Sequence, residues 1–261
     1  MLERFRQAKQ DEISRLVREA DNGHTHVPWA ASRPAFGASL VAPGSTGIIA
    51  EYKRASPSKG DINLDVTPHA ACAGYKQAGA SALSILTEST YFKGDLAYLA
   101  EVSDLGLPLL RKDFIIHPLQ LAATRSTPAS AVLLIVRMFA HQTDLADMHN
   151  QCLDIGLEPV IEVFDEHDLD RAKEIGAGII QVNNRDLDTL DTDLRRCLHM
   201  VRRKTSGEIW IGASGIETPD QVRELKAAGL DALLIGTALM RVANPGQGLA
   251  NLTGPDAGGG S

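Results

Sequence analysis

From Gly47 onward the chain alternates short apolar runs with segments whose apolar residues recur at helical spacing. The runs number eight: GIIAEYK, ALSILT, PLLRKDF, AVLLIV, EPVIEV, GIIQVNN, IWIGAS and ALLIGT. They are apolar almost throughout, the pattern of strands covered on both faces. Between them, PHAACAGYKQAG, DLADMHNQCLDIG, DEHDLDRAKEIG and TPDQVRELKAAG each finish on Gly, the usual helix terminator. Strand followed by helix predicts a parallel sheet under crossover helices, either a closed barrel or a doubly wound sheet, and eight repeats favour the barrel. The expected fold is therefore α/β, a single (β/α)8 TIM barrel over residues 47–253. Ahead of it, MLERFRQAKQDEISRL predicts a helix, and DNGHTHVPWAASRPAFG predicts a loop ending near a short helix or turn. Residues 1–46 are thus expected to form an extra N-terminal helical segment covering the barrel. The final GPDAGGGS, residues 254–261, has nothing to bury and is expected to be a disordered tail.

A length of 261 residues suits one such domain. With 26 basic and 33 acidic residues the net charge is −7, which disfavours broad attraction to nucleic acid or acidic lipid, so a phosphate partner must be held locally. The three cysteines, Cys72, Cys152 and Cys197, have neither paired nor metal-type spacing, and a reducing cytoplasm fits them best. No segment approaches the roughly 20 apolar residues needed to cross a membrane. His24 and His26 lack further ligands at suitable spacing, and His117 reads as a loop residue, so no metal site is expected.

In a barrel of this kind the chemistry sits at the C-terminal strand ends and in the loops that follow. The first run continues Glu51-Tyr52-Lys53-Arg54-Ala55-Ser56-Pro57-Ser58-Lys59-Gly60, with a carboxylate and an amine two residues apart and so on one side of the strand. Such a pair pointing into a barrel mouth is costly to desolvate without a purpose, whereas a structural ion pair lies more naturally on a solvated surface. The third run ends Leu110-Arg111-Lys112-Asp113-Phe114, where Lys112 interrupts an apolar run; an exposed loop lysine is the plainer alternative. In the fifth run Glu162 is flanked by β-branched residues and needs a partner. Lys112 is the natural one, because alternate strands send side chains into one layer of the interior. The sixth run supplies Asn183, Asn184 and Arg185, which can orient a polar ligand or simply form a turn. Ser214-Gly215 and Gly236-Thr237 close the seventh and eighth runs with small turns whose backbone N–H groups can approach a phosphate.

Together, Ile49-Ala50-Glu51-Tyr52-Lys53-Arg54-Ala55-Ser56-Pro57-Ser58-Lys59-Gly60, Leu86-Thr87-Glu88, Leu110-Arg111-Lys112-Asp113-Phe114, Ile161-Glu162-Val163 and Asn183-Asn184-Arg185-Asp186 resemble the motifs of the indole-3-glycerol-phosphate synthases of tryptophan biosynthesis. The resemblance runs from about Gly47 to about Arg241, and the family also carries a helical segment ahead of its barrel. It implies a lyase that converts 1-(2-carboxyphenylamino)-1-deoxyribulose 5-phosphate into indole-3-glycerol phosphate, releasing carbon dioxide and water without cofactor or metal. By the same resemblance Lys112 is the general acid on the C2 carbonyl oxygen. Glu162 acts as a base and stabilises positive charge on the anilino nitrogen, and Glu51 is tied to loss of water. Lys53 holds anionic groups and tunes its neighbours. Asn183 and Arg185 are implied to bind the substrate, with Pro57, Phe92, Phe114, Leu133 and Ile235 lining its aromatic part. Lys53, Ser56, Ser214, Gly215, Gly236 and Thr237 are implied to surround the phosphate. The implied protein is a cytoplasmic monomer, open to association with other tryptophan-pathway enzymes, whose partner is a small phosphorylated substrate.

The sequence departs from the family at two places. Gly212-Ala213-Ser214-Gly215-Ile216 puts Ala213 where the family has a glutamate that orients polar groups of the substrate. Ala123, Pro128 and Ser130 replace a Glu, a Gly and an Asp before the fourth run, on the face expected to concern stability rather than reaction. Other phosphate-binding barrels remain as alternatives, among them phosphoribosylanthranilate isomerase and a Schiff-base aldolase. The isomerase needs a cysteine at the first strand end, where this chain has Glu51 and Lys53. A barrel that binds the ligand without turnover is the non-enzymatic alternative.

Overall fold

The computed structural model describes residues 1–254, so the expected tail lies, apart from Gly254, outside the described residues. Eight parallel strands close into a barrel: β1 (Ile48–Tyr52), β2 (Ala82–Leu86), β3 (Leu109–Lys112), β4 (Ala131–Ile135), β5 (Glu158–Val163), β6 (Ile179–Asn183), β7 (Ile209–Ala213) and β8 (Ala232–Ile235). Each strand pairs with its neighbours in sequence, and β8 returns to β1 with Leu233 opposite Ile48 and Ile235 opposite Ala50. Strands β1, β2, β4, β6 and β8 are buried at every position, which is why the runs lack alternation: one face fills the interior and the other meets the helices.

The helices are α1 (Leu2–Asp21), α2 (Phe36–Val41), α3 (Pro68–Gln77), α4 (Ala97–Glu101), α5 (Pro118–Arg125), α6 (Gln142–Asp154), α7 (Glu166–Glu174), α8 (Arg195–Met200), α9 (Pro219–Ala227), α10 (Thr237–Met240) and α11 (Pro245–Thr253). Their starts are chemical: the side chains of Thr67, Asp165 and Thr218 accept the N–H groups of Ala70, Asp168 and Gln221. His117 stands at the N-cap of α5, where its Nδ1 accepts the N–H of Leu119. The glycine that stops α9, Gly229, lies at φ 108°, a backbone angle that a side chain would strain. After β2 and β6 the crossover helices α4 and α8 are only 5 and 6 residues long.

The N-terminal segment spans the barrel from one end to the other. Phe5 on α1 reaches the open mouth, while Arg33 donates to the carbonyls of Arg125, the last residue of α5, and of Thr127 just past it. At the lower end, the N–H groups of Phe36 and Gly37 donate to the Glu158 carboxylate at 2.5 and 2.9 Å, seating α2 beneath β5. Ser130 joins the same lower end, its N–H bonded to Leu109 at the start of β3. A short antiparallel hairpin, Ala55–Ser56 with Gly60–Asp61, follows β1 and was not visible in the sequence pattern.

Candidate active site

A cleft of about 1080 Å³, counted to its open mouth, lies at the C-terminal ends of the strands. It brings together the residues that the resemblance assigned to the site, whereas Asn184 lies outside it, fully buried with its amide bonded to the Ser214 carbonyl and the Cys197 N–H. From β1 and its hairpin come Glu51, Lys53, Ser56 and Pro57, and from the loop after β2 comes Phe92. Lys112 and Phe114 arrive from β3, Leu133 from β4, Glu162 from β5, and Asn183 and Arg185 from β6. Ser214, Gly215, Ile235, Gly236 and Thr237 complete the ring from β7 and β8.

Two ion pairs occupy the interior. Lys53 Nζ lies 2.8 Å from Glu51 Oε1, and Ser84 Oγ on β2 donates to the other oxygen of Glu51 at 3.3 Å. Lys112 Nζ lies 3.5 Å from Glu162 Oε2, longer than a direct charged hydrogen bond. Glu162 is almost wholly buried, yet both its oxygens are served: Asn183 Nδ2 donates to Oε1 at 3.0 Å and Gln181 Nε2 to Oε2 at 2.5 Å. Lys112 keeps 17% of its side-chain surface exposed to the cleft, so its ammonium can reach a ligand as well as Glu162. Gly236 has a structural reason of its own, since a Cβ there would come within 2.3 Å of Glu51 Oε1.

Arg185 is half-buried, and burial lowers its pKa from the ordinary guanidinium value, partly opposed by nearby Glu217. It donates to the Leu190 carbonyl at 2.7 Å and, among the described residues, has no carboxylate within salt-bridge distance. The cleft therefore offers a desolvated cation to an anionic group. Ser214 and Gly215 both adopt left-handed backbone, at φ 70° and 78°, and form a tight turn beside it. Ala213 contributes only a buried methyl, opposite Asn183 in the strand register.

Parts of the site and its support escaped the sequence reading. Phe5, expected only to help cover the barrel, stacks on Phe114 with ring centroids 4.1 Å apart, and Phe92 leans on the same ring at 6.1 Å. The signal was present in the apolar face of α1, but nothing local says where that face docks. Glu88 was noticed as part of a motif; its carboxylate accepts the N–H groups of Thr90, Tyr91 and Phe92 and so folds the loop that presents Phe92. Gln181, fully buried, reads in the sequence as one polar interruption of an apolar strand. Elsewhere, Asp165, His167 and Asp168 could offer ligand atoms within 4.8 Å of one another, but both carboxylates there already bind Arg137. No helix of the described residues is long and apolar enough to cross a membrane.

Comparisons with known proteins bear on the fold and the family. Among solved structures, 3-hexulose-6-phosphate synthase from Salmonella typhimurium superposes with a TM-score of 0.63, covering 80% of this chain and 97% of that one at 11% identity, which speaks for the fold alone. The indole-3-glycerol phosphate synthase of Exiguobacterium sibiricum is 37% identical over 257 residues, 97% of either chain. That of Desulfosudis oleivorans is 43% identical over 201 residues, 77% of this chain and 76% of its own. The family model described as indole-3-glycerol phosphate synthase matches residues 2–252, nearly the whole chain, α1 included, and the chain accordingly belongs to the indole-3-glycerol phosphate synthase family.

Proposed function

We propose that this protein closes the indole ring of indole-3-glycerol phosphate from 1-(2-carboxyphenylamino)-1-deoxyribulose 5-phosphate. The observation that carries the reading is the Lys112 and Glu162 pair, 3.5 Å apart under an aromatic wall of Phe5, Phe92 and Phe114. The wall takes the anilino ring, and Arg185 faces an anionic group of the substrate. The turns at Ser214-Gly215 and Gly236-Thr237, with Lys53 and Ser56, hold the phosphate.

The ring carbon bearing the carboxylate attacks the C2 carbonyl carbon while Lys112 delivers a proton to the carbonyl oxygen, which becomes a hydroxyl. Carbon dioxide then leaves, and its bonding pair returns to the ring. Glu162 stabilises the positive charge that develops on nitrogen as the hydroxyl departs, Glu51 assists that departure as water, and loss of a proton from the adjacent carbon completes the indole. Asn183 binds a substrate hydroxyl and fixes Glu162. The methyl of Ala213 leaves these groups in place.

Purified protein incubated with the substrate is expected to produce indole absorbance and fluorescence as product forms. Absence of product with retained substrate binding would instead support a ligand-binding barrel without turnover. Absence of binding would overturn the ligand assignment.

A further inference from the structure

We infer that Gln181 is a positioning residue that holds the Glu162 carboxylate from below; the inference rests on the role proposed for Glu162. Gln181 is the direct cross-strand neighbour of Glu162 and is wholly buried in the barrel interior. Its Nε2 donates to Glu162 Oε2 at 2.5 Å, while Asn183, two residues on and on the same side of β6, donates to Oε1 at 3.0 Å. Each carboxylate oxygen thus has its own amide donor, both on one rigid strand, and rotation of the carboxylate breaks both bonds. Lys112, the third contact, is the looser at 3.5 Å and is the one free to follow a substrate. Ala213 offers nothing polar from β7, so the fixed donors to Glu162 come from β6 alone.

The orientation of the Gln181 amide follows from chemistry. An ionised carboxylate only accepts, so the NH₂ must face Glu162 and Oε1 must point away. That Oε1 is buried without a partner, a costly arrangement that an apolar side chain of similar size would avoid. Its strand neighbours Ile180 and Val182 and its cross-strand neighbour Ile211 are apolar and make no use of an amide. Among the described residues the bond to Glu162 is the one polar contact of this side chain, and it locks a reacting group in place before substrate arrives.

Gln181→Met, which keeps the length and removes the donor, tests this. Expected are a fall in kcat of about tenfold to a hundredfold with KM nearly constant, and a thermal midpoint that does not fall. Unchanged kcat, or a loss confined to KM or to stability, overturns the inference. A second readout needs no turnover: the ¹³C carboxyl resonance of Glu162, assigned by its disappearance in Glu162→Gln, is followed through a pH titration. The charged groups facing Glu162 are Lys112 from β3, Arg137 and Asp168 around the adjoining small cleft, Arg185 beyond β6, and Glu51 with Lys53 across the mouth. The variant leaves them all in place. Loss of a donor to the charged form is expected to move the midpoint up by about one pH unit, and an unmoved midpoint overturns the proposal. Gln181→Glu, placing a second carboxyl against the first, is expected to move it further in the same direction, which keeps the test open if the Met variant folds poorly. Inactive wild-type protein would refute the proposed reaction, while the titration would still decide the role of Gln181.

Discussion

The two faces of β3 carry two charge clusters that differ in one respect. On the outer face, Arg111 makes five hydrogen bonds, to Thr87, the Gln120 carbonyl, Thr124, Glu12 and Asp113. Asp113 also meets Lys9 of α1 at 2.5 Å and Thr87 at 2.5 Å. Burial alone would raise the Asp113 pKa, but Arg111 and Lys9 outweigh it and hold the carboxyl well below the usual carboxylate range. On the inner face, Lys112 stands 3.5 Å from a single carboxylate and faces an open cleft. Saturated buried charges fix α1 to the barrel; an unsaturated one is left for a ligand. Residues adjacent in sequence thus serve different ends because a strand sends neighbours to opposite faces.

The contrast can be broken from either side. Lys112→Ala is expected to lower kcat by about 10²–10⁴-fold with little change in thermal stability, measured by steady-state turnover and circular dichroism. Asp113→Asn is expected to do the reverse, destabilising the fold by about 3–5 kcal/mol in urea titrations while kcat of the folded fraction falls far less than in Lys112→Ala. If both variants lose activity and stability alike, the two clusters are one network. Glu51→Gln, on the inner face but already paired with Lys53, is expected to slow a later step by about tenfold and let an intermediate accumulate, visible in rapid-quench time courses.

Acid sharpens the same comparison. Burial raises and Lys173 with its neighbours lowers the Glu208 pKa, which settles at about 2, and Asp113 lies lower still than its ordinary value. Both groups are depressed on folding, so their stabilisation is complete above about pH 5 and is lost as pH falls through the unfolded-state values toward the folded-state ones. Equilibrium unfolding is expected to show a plateau above about pH 5 and a decline below it that Asp113→Asn makes shallower. The smallest effect concerns the thiols. Burial pushes Cys152 and Cys197 up to about 12 and raises Cys72 as well, so the native protein is expected to ignore a chromogenic disulfide reagent that titrates all three cysteines after denaturation.

The eight strands and the charged residues at their ends were legible in the sequence because each is a local signal. An apolar run of strand length marks a strand covered on both faces, and Lys112 or Glu162 inside such a run stands out against it. Gln181 interrupts a run in the same way but has no charge, and only its distance to Glu162 gives it a task. Phe5 and Lys9 were illegible for another reason. They lie on one face of α1 with Leu16, and a helix face states that it is buried without stating against what.

The sequence by itself determined the barrel class, the order of strands and the charged residues that stand at the strand ends. Hydrophobic period and residue type act over a few positions and survive without knowledge of the rest of the chain. The tertiary structure alone decided which of those residues touch. It set Lys112 against Glu162, gave each oxygen of Glu162 its own amide from β6, placed Phe5 on Phe114, and assigned Arg111 and Asp113 to the outer face. These are contacts between strands and helices far apart in the chain, fixed by barrel closure and register, which no local pattern encodes.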